Sequence, residues 1–239
     1  MSSLAGRHAL VTGGRRGIGL AIVKALAAQG ARISVVSRSA QTGDDGAFGV
    51  SADVSDAAQV ALAFALCRER NGPIEILVNN SGIAESAPLK RTDKAMWDRI
   101  IATNLTGTYV CTHEVIEEML AAAWGRIVNV ASIAGLHGAP YISAYAASKH
   151  GVIGFTRSAA AELDGTGVTV NAVCPGYTQT DMMTKAIDNI VRRTGVSPDQ
   201  AREELAKTNP SGRIIAAEEV AQAVVGLCTY DETGREVVL

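Results

Sequence analysis

The sequence predicts an α/β fold in which one doubly wound, mostly parallel sheet is flanked by helices. Short runs rich in valine and isoleucine alternate with longer segments of helical periodicity, which is the order of successive βαβ units. Several of these runs are apolar on both alternating faces, as expected of strands that helices cover on both sides. Right-handed crossovers then place helices on the two faces of the sheet.

The predicted elements follow one another along almost the whole chain. The six strands are HALVT (8–12), ARISVVS (31–37), AFGVSADV (47–54), IEILVNN (74–80), GRIVNVAS (125–132) and GVTVNAVCP (167–175). The helical segments between and after them are expected at about 17–29, 56–71, 93–123, 144–163, 181–207 and 216–229.

Two segments depart from this alternation. RSAQTGDDG (38–46) is too short and too rich in glycine for a crossover helix, so we expect a loop or a single turn there. GREVVL (234–239) follows the last predicted helix and is expected to form one short final strand. Because the chain has no low-complexity linker and no internal repeat, we expect a single domain over residues 1–239.

Composition excludes several classes of protein. Apolar residues make up 47% and charged residues 19% of the 239 positions, which is ordinary globular usage and argues against disorder. A net charge of −2 disfavours nucleic acid and anionic lipid as partners, and no run approaches the length of a membrane span. The cysteines form no C-x-x-C pair, which argues against a zinc site or disulfide framework. Without a secretory signal, we expect a cytoplasmic location and reduced thiols.

A glycine-rich turn follows the first strand and opens the first helix. Its sequence is Thr12-Gly-Gly-Arg-Arg-Gly-Ile-Gly19, a G-x-x-x-G-x-G relative of the Rossmann pattern G-x-G-x-x-G. Glycines allow positive φ and a close backbone approach to a phosphate, and the helix N-terminus offers free N–H groups. We therefore expect dinucleotide contacts here, although a tight turn without a ligand is the alternative interpretation. The residues expected to make these contacts are Gly13, Arg15, Arg16, Gly17, Ile18 and Gly19.

The end of the second strand bears on the choice of cofactor. It reads Val35-Val36-Ser37-Arg38 and has no acidic residue, which NAD-binding sites generally use to bind the ribose hydroxyls. A guanidinium can instead bind a 2′-phosphate, and Arg16 can flank the same group. We therefore predict contacts from Ser37 and Arg38 and favour NADP(H), with NAD(H) as a possible alternative. The alternative interpretation is that Arg16 and Arg38 are solvated surface charges. The nearby acidic residues Asp44 and Asp45 would weaken the preference for NADP(H) over NAD(H).

Three polar residues follow the fifth strand in a pattern that suits proton transfer. Ser132 lies at the strand end, where open α/β sheets bind ligands, and Tyr145 and Lys149 are four residues apart on a predicted helix. A nearby ammonium favours the phenolate and is expected to lower the pKa of Tyr145, which then exchanges a proton with a carbonyl or alcohol oxygen. Ser132 would hold that oxygen. Taken separately, each feature has a plainer interpretation, because surface Tyr–Lys pairs and helix-capping serines are common in proteins.

Further segments extend the pattern along nearly the whole chain. They are TGGRRGIG (12–19), NNSG (79–82), the asparagine within IIATNLTG (100–107), Ser132, YAASK (145–149) and CPG (174–176). In this order and spacing the sequence resembles the short-chain dehydrogenase/reductase family. The resemblance implies a Rossmann-like domain that transfers hydride between NAD(P) and a carbonyl or secondary alcohol. It also implies a homo-oligomer, tetramer or dimer.

The resemblance assigns roles to further residues. It implies that Asn104 completes a tetrad with Ser132, Tyr145 and Lys149 by holding a water that links the lysine to a proton relay. From the residues alone, an asparagine inside a long helix is equally a local kink or a buried hydrogen-bonding residue. In the family Asp53 contacts the adenine, Asn80 lies near the ribose, and Thr178 or Thr180 lies near the carboxamide. The implied cofactor contacts are Asp53, Val54, Asn80, Gly82, Tyr145, Lys149, Pro175, Gly176, Thr178 and Thr180.

The substrate is expected to lie between residues 134–143 and a lid at about 181–212. His137 and Tyr141 are candidate ligand contacts, and Arg192, Arg193 and Arg213 would meet an acidic group, although solvated surface positions are the plainer interpretation. The sequence around Ser132 and Tyr145 is similar to fatty-acid and polyketide ketoreductases, and to hydroxyacyl-thioester dehydrogenases. It thus implies a 3-oxoacyl thioester or related ketone. Two hypotheses stay open beside this one: an NAD-dependent secondary-alcohol or hydroxyacyl dehydrogenase, and a non-catalytic dinucleotide-binding protein.

Overall fold

A seven-stranded parallel sheet forms the centre of the protein. The structure is a computed structural model that describes residues 4–39 and 46–239, and the strand order is β3-β2-β1-β4-β5-β6-β7. The strands are His8–Thr12 (β1), Arg32–Ser37 (β2), Phe48–Ser51 (β3), Ile76–Asn79 (β4), Gly125–Val130 (β5), Val168–Cys174 (β6) and Glu236–Val238 (β7). The six predicted strands and the short final one are all present, so the predicted fold class is confirmed.

The strand order reverses between β1 and β4. The chain runs from β1 outward to β3 at one edge, returns to β4 beside β1, and then runs outward to β7 at the other edge. Loops that leave β1 and β4 therefore diverge and open a crevice at their carboxyl ends. Ligands of doubly wound sheets bind at this switch point, which lies next to the glycine-rich turn.

Eight α-helices connect the strands within the described residues. They are Gly17–Ala28 (α1), Ala57–Asn71 (α2), Lys94–Ile101 (α3), Gly107–Ala121 (α4), Ser143–Glu162 (α5), Asp181–Thr194 (α6), Pro198–Thr208 (α7) and Ala217–Thr229 (α8). Short 3₁₀ turns occupy Leu89–Arg91 and Ile133–Gly135, and a π-helix occupies Ala102–Thr106.

Two predicted helices are interrupted. The segment expected at 93–123 is α3 and α4 joined through the π-helix, in which the hydrogen-bonding register shifts around Asn104. The segment expected at 181–207 is α6 and α7. Gly195 ends α6 in the left-handed conformation with φ 75°, and the capping box of Ser197 and Gln200 starts α7. A single helix over 181–207 was therefore a wrong prediction.

The sheet is covered on both faces by apolar helix surfaces. Side chains of alternate strand residues, such as Val11 and Val78, pack with α1 and α8 on one face. Their neighbours Leu10 and Leu77 point to the other face and pack with α2, α4 and α5. Each fully buried aliphatic side chain stabilises the fold by about 1.5–3 kcal/mol through burial alone, which makes the sheet a rigid platform for the loops at its carboxyl edge.

Some sequence-based expectations concern features outside this core. Residues 40–45, with Asp44, Asp45 and most of the predicted loop after Arg38, lie outside the described residues. Among the helices of the described segments, none combines the length and apolarity that a bilayer crossing requires. The four cysteines are all buried free thiols.

Candidate active site

The glycine-rich turn adopts a conformation that only glycine accommodates easily. Gly13 and Gly17 have φ values of 68° and 50°, in the left-handed region. A Cβ atom on Gly19 would lie 2.3 Å from the Gly13 carbonyl oxygen and 2.5 Å from Nδ2 of Asn80. The N-cap of α1 is Arg16, whose side chain makes no capping hydrogen bond. The turn therefore presents a smooth backbone surface with N–H groups aimed at the crevice.

Contacts from the end of β4 hold this turn in place. Nδ2 of Asn80 donates to the carbonyl of Thr12 at 2.9 Å, and Oγ1 of Thr12 accepts from the backbone N–H groups of Asn80 and Ser81 at 3.0 Å each. The Gly13 N–H donates to Val36 at 2.8 Å. Asn80 thus supports the backbone of the glycine-rich turn, and the ribose contact that the resemblance implies for it stays a prediction.

The carboxyl end of β2 carries the polar groups expected near an adenosine. Oγ of Ser37 is buried and has no hydrogen-bond partner in the described part of the chain. Arg16 and Arg38 are exposed. The pKa of Asp53 is lowered, first by hydrogen bonds from the hydroxyl and N–H of Ser55 and then by the nearby charge of Arg38.

Three other residues predicted to contact the cofactor form contacts within the protein itself. Arg15 donates from Nη2 to the carbonyl of Ala47 at 3.3 Å. Val54 packs so closely on Gly107 that a Cβ there would lie 2.9 Å from it. Ile18 packs on the core beneath the turn.

Together these features fit a dinucleotide carrying an extra phosphate. The glycine-rich turn packs so closely that a Cβ atom at Gly19 would collide with Gly13 and Asn80, and its glycines put no side chain between the backbone N–H groups and a diphosphate. The hydroxyl of Ser37, which has no partner within the described segments, and the two exposed guanidinium groups offer donors at the adenosine end. The donor set is cationic at the position where an acid would select NAD.

Ser132 and Tyr145 are brought together across two elements. Ser132 lies two residues after β5 and caps the 3₁₀ turn, with Oγ accepting from the N–H of Ala134 at 3.1 Å. Its hydroxyl lies near the phenol of Tyr145, on the first turn of α5, and hydrogen bonding from Ser132 acts to lower the phenol pKa. Burial acts in the opposite direction and is the larger effect, so the pKa of Tyr145 is raised.

Lys149 lies one helical turn after Tyr145 and is only 5% exposed. Its Nζ donates to the carbonyl of Val130 at 2.8 Å and lies 5.9 Å from the centre of the Tyr145 ring. Burial lowers the pKa of the amine to about 8. The lowered Tyr145 pKa expected from the sequence is therefore not met by the protein alone, because burial disfavours the phenolate.

Asn104 connects this pair to the loop after β4. Its Oδ1 accepts from the N–H of Ile83 at 2.8 Å, and Nδ2 donates to the Ile83 carbonyl at 2.9 Å and to Oγ of Ser148 at 3.0 Å. Ser148 in turn donates to the Tyr145 carbonyl at 2.7 Å. Both interpretations of Asn104 from the sequence therefore hold: it lies in a helix irregularity and is a buried hydrogen-bonding residue.

Gly82 lies against the same group. A Cβ atom on it would be 3.4 Å from Oδ1 of Asn104 and 3.8 Å from Nζ of Lys149. The structure thus brings Asn104, Ser132, Tyr145 and Lys149 together at the carboxyl edge of β4 and β5.

The segment after β6 closes the other side of the crevice. The Pro175 carbonyl accepts from the N–H of Ile133 at 3.1 Å, which joins this segment to the Ser132 turn. Thr178 is buried and donates to the Gly176 carbonyl at 3.1 Å. The side chain of Thr180 lies 3.2 Å from the Cβ position of Gly17. This predicted nicotinamide segment therefore lies next to the predicted diphosphate turn.

The candidate substrate residues are more dispersed. His137 is exposed, and Tyr141 is 60% exposed with a φ of 70°, rare for a non-glycine residue. The Tyr141 carbonyl accepts from the N–H of Ala87 at 2.8 Å. Arg213 forms an ion pair with Glu219, and Arg192 donates to Asn189. Arg193 lies in the last turn of α6.

Several residues of the site were not predicted from the sequence. Ser148 lies inside YAASK, but its partner Asn104 is 44 positions away and carries no signal of the contact. Tyr177 directly follows the predicted Pro175-Gly176 pair, and Asn209 precedes a proline at the end of α7. An asparagine before proline indicates a helix end, not the buried hydrogen bonds that Asn209 makes with Tyr177.

Comparisons with known proteins agree with this geometry. The family model described as short chain dehydrogenase matches residues 7–191. The D-beta-hydroxybutyrate dehydrogenase of Cupriavidus necator is 40% identical, over 98% of this chain and 94% of its own. The 3-oxoacyl-[acyl-carrier-protein] reductase MabA of Mycobacterium avium is 39% identical, over 94% of this chain and 84% of its own.

A solved structure supports the same assignment. The crystal structure of an actinorhodin polyketide ketoreductase variant with NADPH superposes with a TM-score of 0.90 and 34% identity, covering 99% of this chain and 97% of that one. Sequence and fold therefore agree, and the chain belongs to the short-chain dehydrogenase family.

Proposed function

We propose that this oxidoreductase uses NADPH to interconvert a ketone, either a 3-oxoacyl thioester or a related compound, and a secondary alcohol. Tyr145 is the proton donor and acceptor of the reaction. The observation that carries the proposal is the position of Tyr145 close to Ser132 and 5.9 Å from the buried amine of Lys149, at the sheet edge that also bears the glycine-rich turn. A proton carrier and a dinucleotide cradle thus share one crevice.

The chain's own residues account for the proton and for the orientation of substrate. The glycine-rich turn, Arg16, Ser37 and Arg38 would hold NADPH, which would supply the hydride for the carbonyl carbon. The hydroxyl of Ser132 donates to the substrate oxygen, and Tyr145 gives that oxygen its proton as negative charge develops there. Lys149, held by Val130, keeps a positive charge near the phenol below pH about 8 and so favours proton release. Asn104 binds the Ile83 backbone and Oγ of Ser148, and so helps to fix the position of α5, which carries Tyr145 and Lys149.

The cofactor assignment rests on the charge around the adenosine end of the crevice. Arg16 and Arg38 are exposed at the helix N-terminus and the end of β2, and the buried hydroxyl of Ser37 has no hydrogen-bond partner among residues 4–39 and 46–239. The structural relative with NADPH supports the same choice. NAD(H) remains the alternative cofactor.

The second candidate function is an NAD-dependent hydroxy-acid dehydrogenase, favoured by the identity to hydroxybutyrate dehydrogenases. A free hydroxy acid carries a carboxylate that requires a cation. The segment 133–142, between Ser132 and the first turn of α5, contains neither lysine nor arginine, and Lys149 is buried. Neutral ketones and thioesters therefore suit the part of the site beside Ser132 and α5 better than free acids do, and the arginines of the lid stay available for a more distant acidic group.

The test compares neutral and ionised substrates with both cofactors. Purified protein is assayed for NADPH oxidation with ethyl acetoacetate, an acetoacetyl thioester and free acetoacetate. We expect turnover of the first two at a kcat/KM at least about tenfold above that for acetoacetate. A preference for acetoacetate with NADH would support the second candidate instead.

The proposed role of Tyr145 is tested by removing its hydroxyl. Tyr145→Phe is expected to lower kcat by at least about a hundredfold, because general acid catalysis is lost, and to leave NADPH binding measurable. Tyr230→Phe, at the end of α8, is the matched control and should retain full activity. Tight NADPH binding without turnover of any ketone by the wild type would favour a non-catalytic binding protein.

The organisation of the chain is also part of the proposal. Residues 1–239 form a single domain, because α1, α2, α4, α5 and α8 pack on one sheet and α3 packs on α5. Residues 181–212, in which α6 packs on α7, form a lid over the substrate. The protein is a homo-oligomer, a dimer or tetramer, and cytoplasmic. Support for assembly comes from the outer face of α4 and α5, where Tyr109 is 51% exposed beside Phe155 and His113. Light scattering during gel filtration measures the assembly.

A further inference from the structure

The side chain of Asn209 links the end of the lid to the segment after β6. Asn209 follows α7 and is 3% exposed. Its Oδ1 accepts from the N–H of Tyr177 at 2.7 Å, and its Nδ2 donates to the Tyr177 carbonyl at 2.9 Å. The amide therefore pairs with both backbone groups of one residue, as a neighbouring β-strand would.

The same amide also fixes the turn that ends the lid. Nδ2 of Asn209 donates a second hydrogen bond, to the carbonyl of Arg213 at 2.7 Å. The backbone N–H of Gly212 donates to the carbonyl of Asn209 at 2.9 Å. Asn209 thus uses both N–H groups of its amide and connects two segments more than 30 positions apart.

Gly176 is matched to this asparagine. A Cβ atom on Gly176 would lie 2.2 Å from Oδ1 and 2.6 Å from Cγ of Asn209, distances that no side chain tolerates. The Gly176 N–H donates to the Leu239 carbonyl at 3.0 Å. The backbone between β6 and α6 is therefore held on one side by the C-terminus and on the other by Asn209.

Residues 177–180, which come directly after Gly176, lie close to the proposed chemistry. Tyr177 is near enough to Tyr145 for its charge to raise the Tyr145 pKa. The Tyr177 carbonyl accepts from the N–H of Ile215, and the N–H of Gln179 donates to the Ile215 carbonyl. Thr180 contacts the glycine-rich turn, so this segment reaches from the proton donor to the diphosphate cradle.

We infer that Asn209 is a positioning residue, which fixes the backbone of Gly176 and Tyr177 and so aligns residues 178–180 with bound cofactor. This inference rests on the proposed function. It assigns the lid a second task beside covering substrate, because an ordered lid end also sets the cofactor-binding segment. Loss of the Asn209 amide should therefore weaken NADPH binding, although Asn209 belongs to the lid.

The first test is Asn209→Asp, which keeps size and one acceptor but replaces both donors with an oxygen facing two carbonyls. We expect the Kd and KM for NADPH to rise about tenfold or more, since buried groups lose their partners. Asn171→Asp is the matched control. Asn171 is buried and likewise pairs with remote backbone, the Glu232 carbonyl and Arg235 N–H.

The control separates positioning from general destabilisation. Both variants should melt at lower temperature than the wild type, but only Asn209→Asp should change NADPH binding, measured by fluorescence well below either melting point. Equal Kd values in the two variants would overturn the inference while leaving the proposed function intact. Failure of the wild type to bind NADPH would overturn both.

A second test uses the match between Gly176 and Asn209. Gly176→Ala alone should impair NADPH binding severely, because its methyl group meets the amide. The double variant Gly176→Ala/Asn209→Ala should bind NADPH no worse than Asn209→Ala alone, since the methyl then has space. Additive losses would contradict the inference.

A third measurement serves if these variants do not fold. In the wild type, hydrogen exchange of the Tyr177 and Gln179 amides should be as slow as that of β6 amides. Complete exchange of both within seconds would overturn the inference.

Discussion

Lys149 illustrates how a residue of the proposed site reduces the stability of the fold that holds it. Its amine is buried, and burial lowers its pKa to about 8 from 10.5 because the charged form loses hydration. At neutral pH the folded protein therefore holds a charge at a cost. The hydrogen bond to the Val130 carbonyl offsets part of that cost.

We predict that Lys149→Met abolishes activity and stabilises the fold at pH 7. The expected gain in the free energy of unfolding is about 1–2 kcal/mol, since a buried charge is replaced by an apolar side chain. The gain should shrink as pH rises from 8 towards 10.5. Over that range folded Lys149 is neutral while the unfolded chain still binds the proton, so the wild type becomes more stable with pH.

Urea unfolding at pH 7, 8.5 and 10 measures this difference. Lys24→Met, on α1 outside the described site, is the control and should show no pH-dependent gain. A constant difference between Lys149→Met and wild type at all three values would contradict a lowered pKa for Lys149.

The charge of Arg38 governs the second prediction at this scale. We expect Arg38→Asp to lower the ratio of kcat/KM for NADPH to that for NADH by about ten- to a hundredfold, because a charge-assisted hydrogen bond is exchanged for repulsion of the extra phosphate. Arg70→Asp, near the far end of α2, changes charge equally and should leave the ratio unaltered. A ratio insensitive to Arg38 would mean that this arginine is only a surface charge.

At the scale of elements, the sequence predicted strands better than helix continuity. Strands are short, apolar and bounded by loops, so their positions follow from composition. The π-helix around Asn104 follows from side-chain hydrogen bonds to Ile83 and Ser148, which lie far away in sequence. Periodicity within the segment 93–123 contains no trace of those partners.

The break between α6 and α7 differs from the π-helix around Asn104, because the local sequence contains the residues that indicate a helix end and a helix start. Gly195 suits the left-handed end of α6, and Ser197 and Pro198 are typical of a helix start. The prediction of one helix over 181–207 gave these capping signals no weight. The capping residues were the better guide to where the lid bends.

The lid supplies the third prediction. Oγ of Ser197 accepts from the N–H of Gln200 at 3.2 Å, and the Gln200 side chain accepts from the N–H of Ser197 at 3.0 Å. Loss of such a cap costs about 1 kcal/mol. We expect Ser197→Ala to loosen α7 and to raise the substrate KM severalfold, with little change in melting temperature because α7 lies outside the main core.

Asp93→Ala provides the contrast, because Asp93 caps α3 by accepting from Met96 at 2.8 Å. Losing that cap should lower the melting temperature without changing the substrate KM. If the two variants have the same kinetic effect, α7 is not part of a substrate lid. Initial rates over a range of ketone concentrations distinguish these outcomes.

For the whole molecule, the strand order explains why residues distant in sequence meet. Parallel strands all end at one sheet edge, so the residues after β1, β4, β5 and β6 converge once the topology is known. The glycine-rich turn, Asn80, Ser132 and Thr178 could be placed at that edge from sequence alone. The hydrogen bonds that hold these residues could not be predicted from the sequence. Polar pairs such as Asn79 and Asn129, which are 50 positions apart, depend on the exact register between β4 and β5.

A buried histidine at the amino-terminal edge of the sheet is expected to contribute to the response of the whole fold to acid. His8 begins β1 and is fully buried, with Nδ1 2.7 Å from the Gly72 carbonyl oxygen and Nε2 2.8 Å from Oγ of Ser34. A neutral ring that donates from Nδ1 and accepts at Nε2 satisfies both contacts. Burial is the main cause that lowers the pKa of His8 below its usual 6.5.

The last prediction rests on the sign of that shift. Above pH 6.5 His8 is neutral in both folded and unfolded chains, and its contacts are fully present. As pH falls below 6.5, the unfolded chain takes up a proton that the folded chain resists, so the free energy of unfolding falls, by at most about 1.4 kcal/mol per pH unit for one proton. His8→Gln, which cannot titrate, should therefore lose less stability between pH 7 and pH 5 than the wild type. Exposed His137→Gln should retain the wild-type slope. Urea unfolding at fixed protein concentration measures all three slopes, and equal slopes for His8→Gln and wild type would mean that other groups govern the acid response.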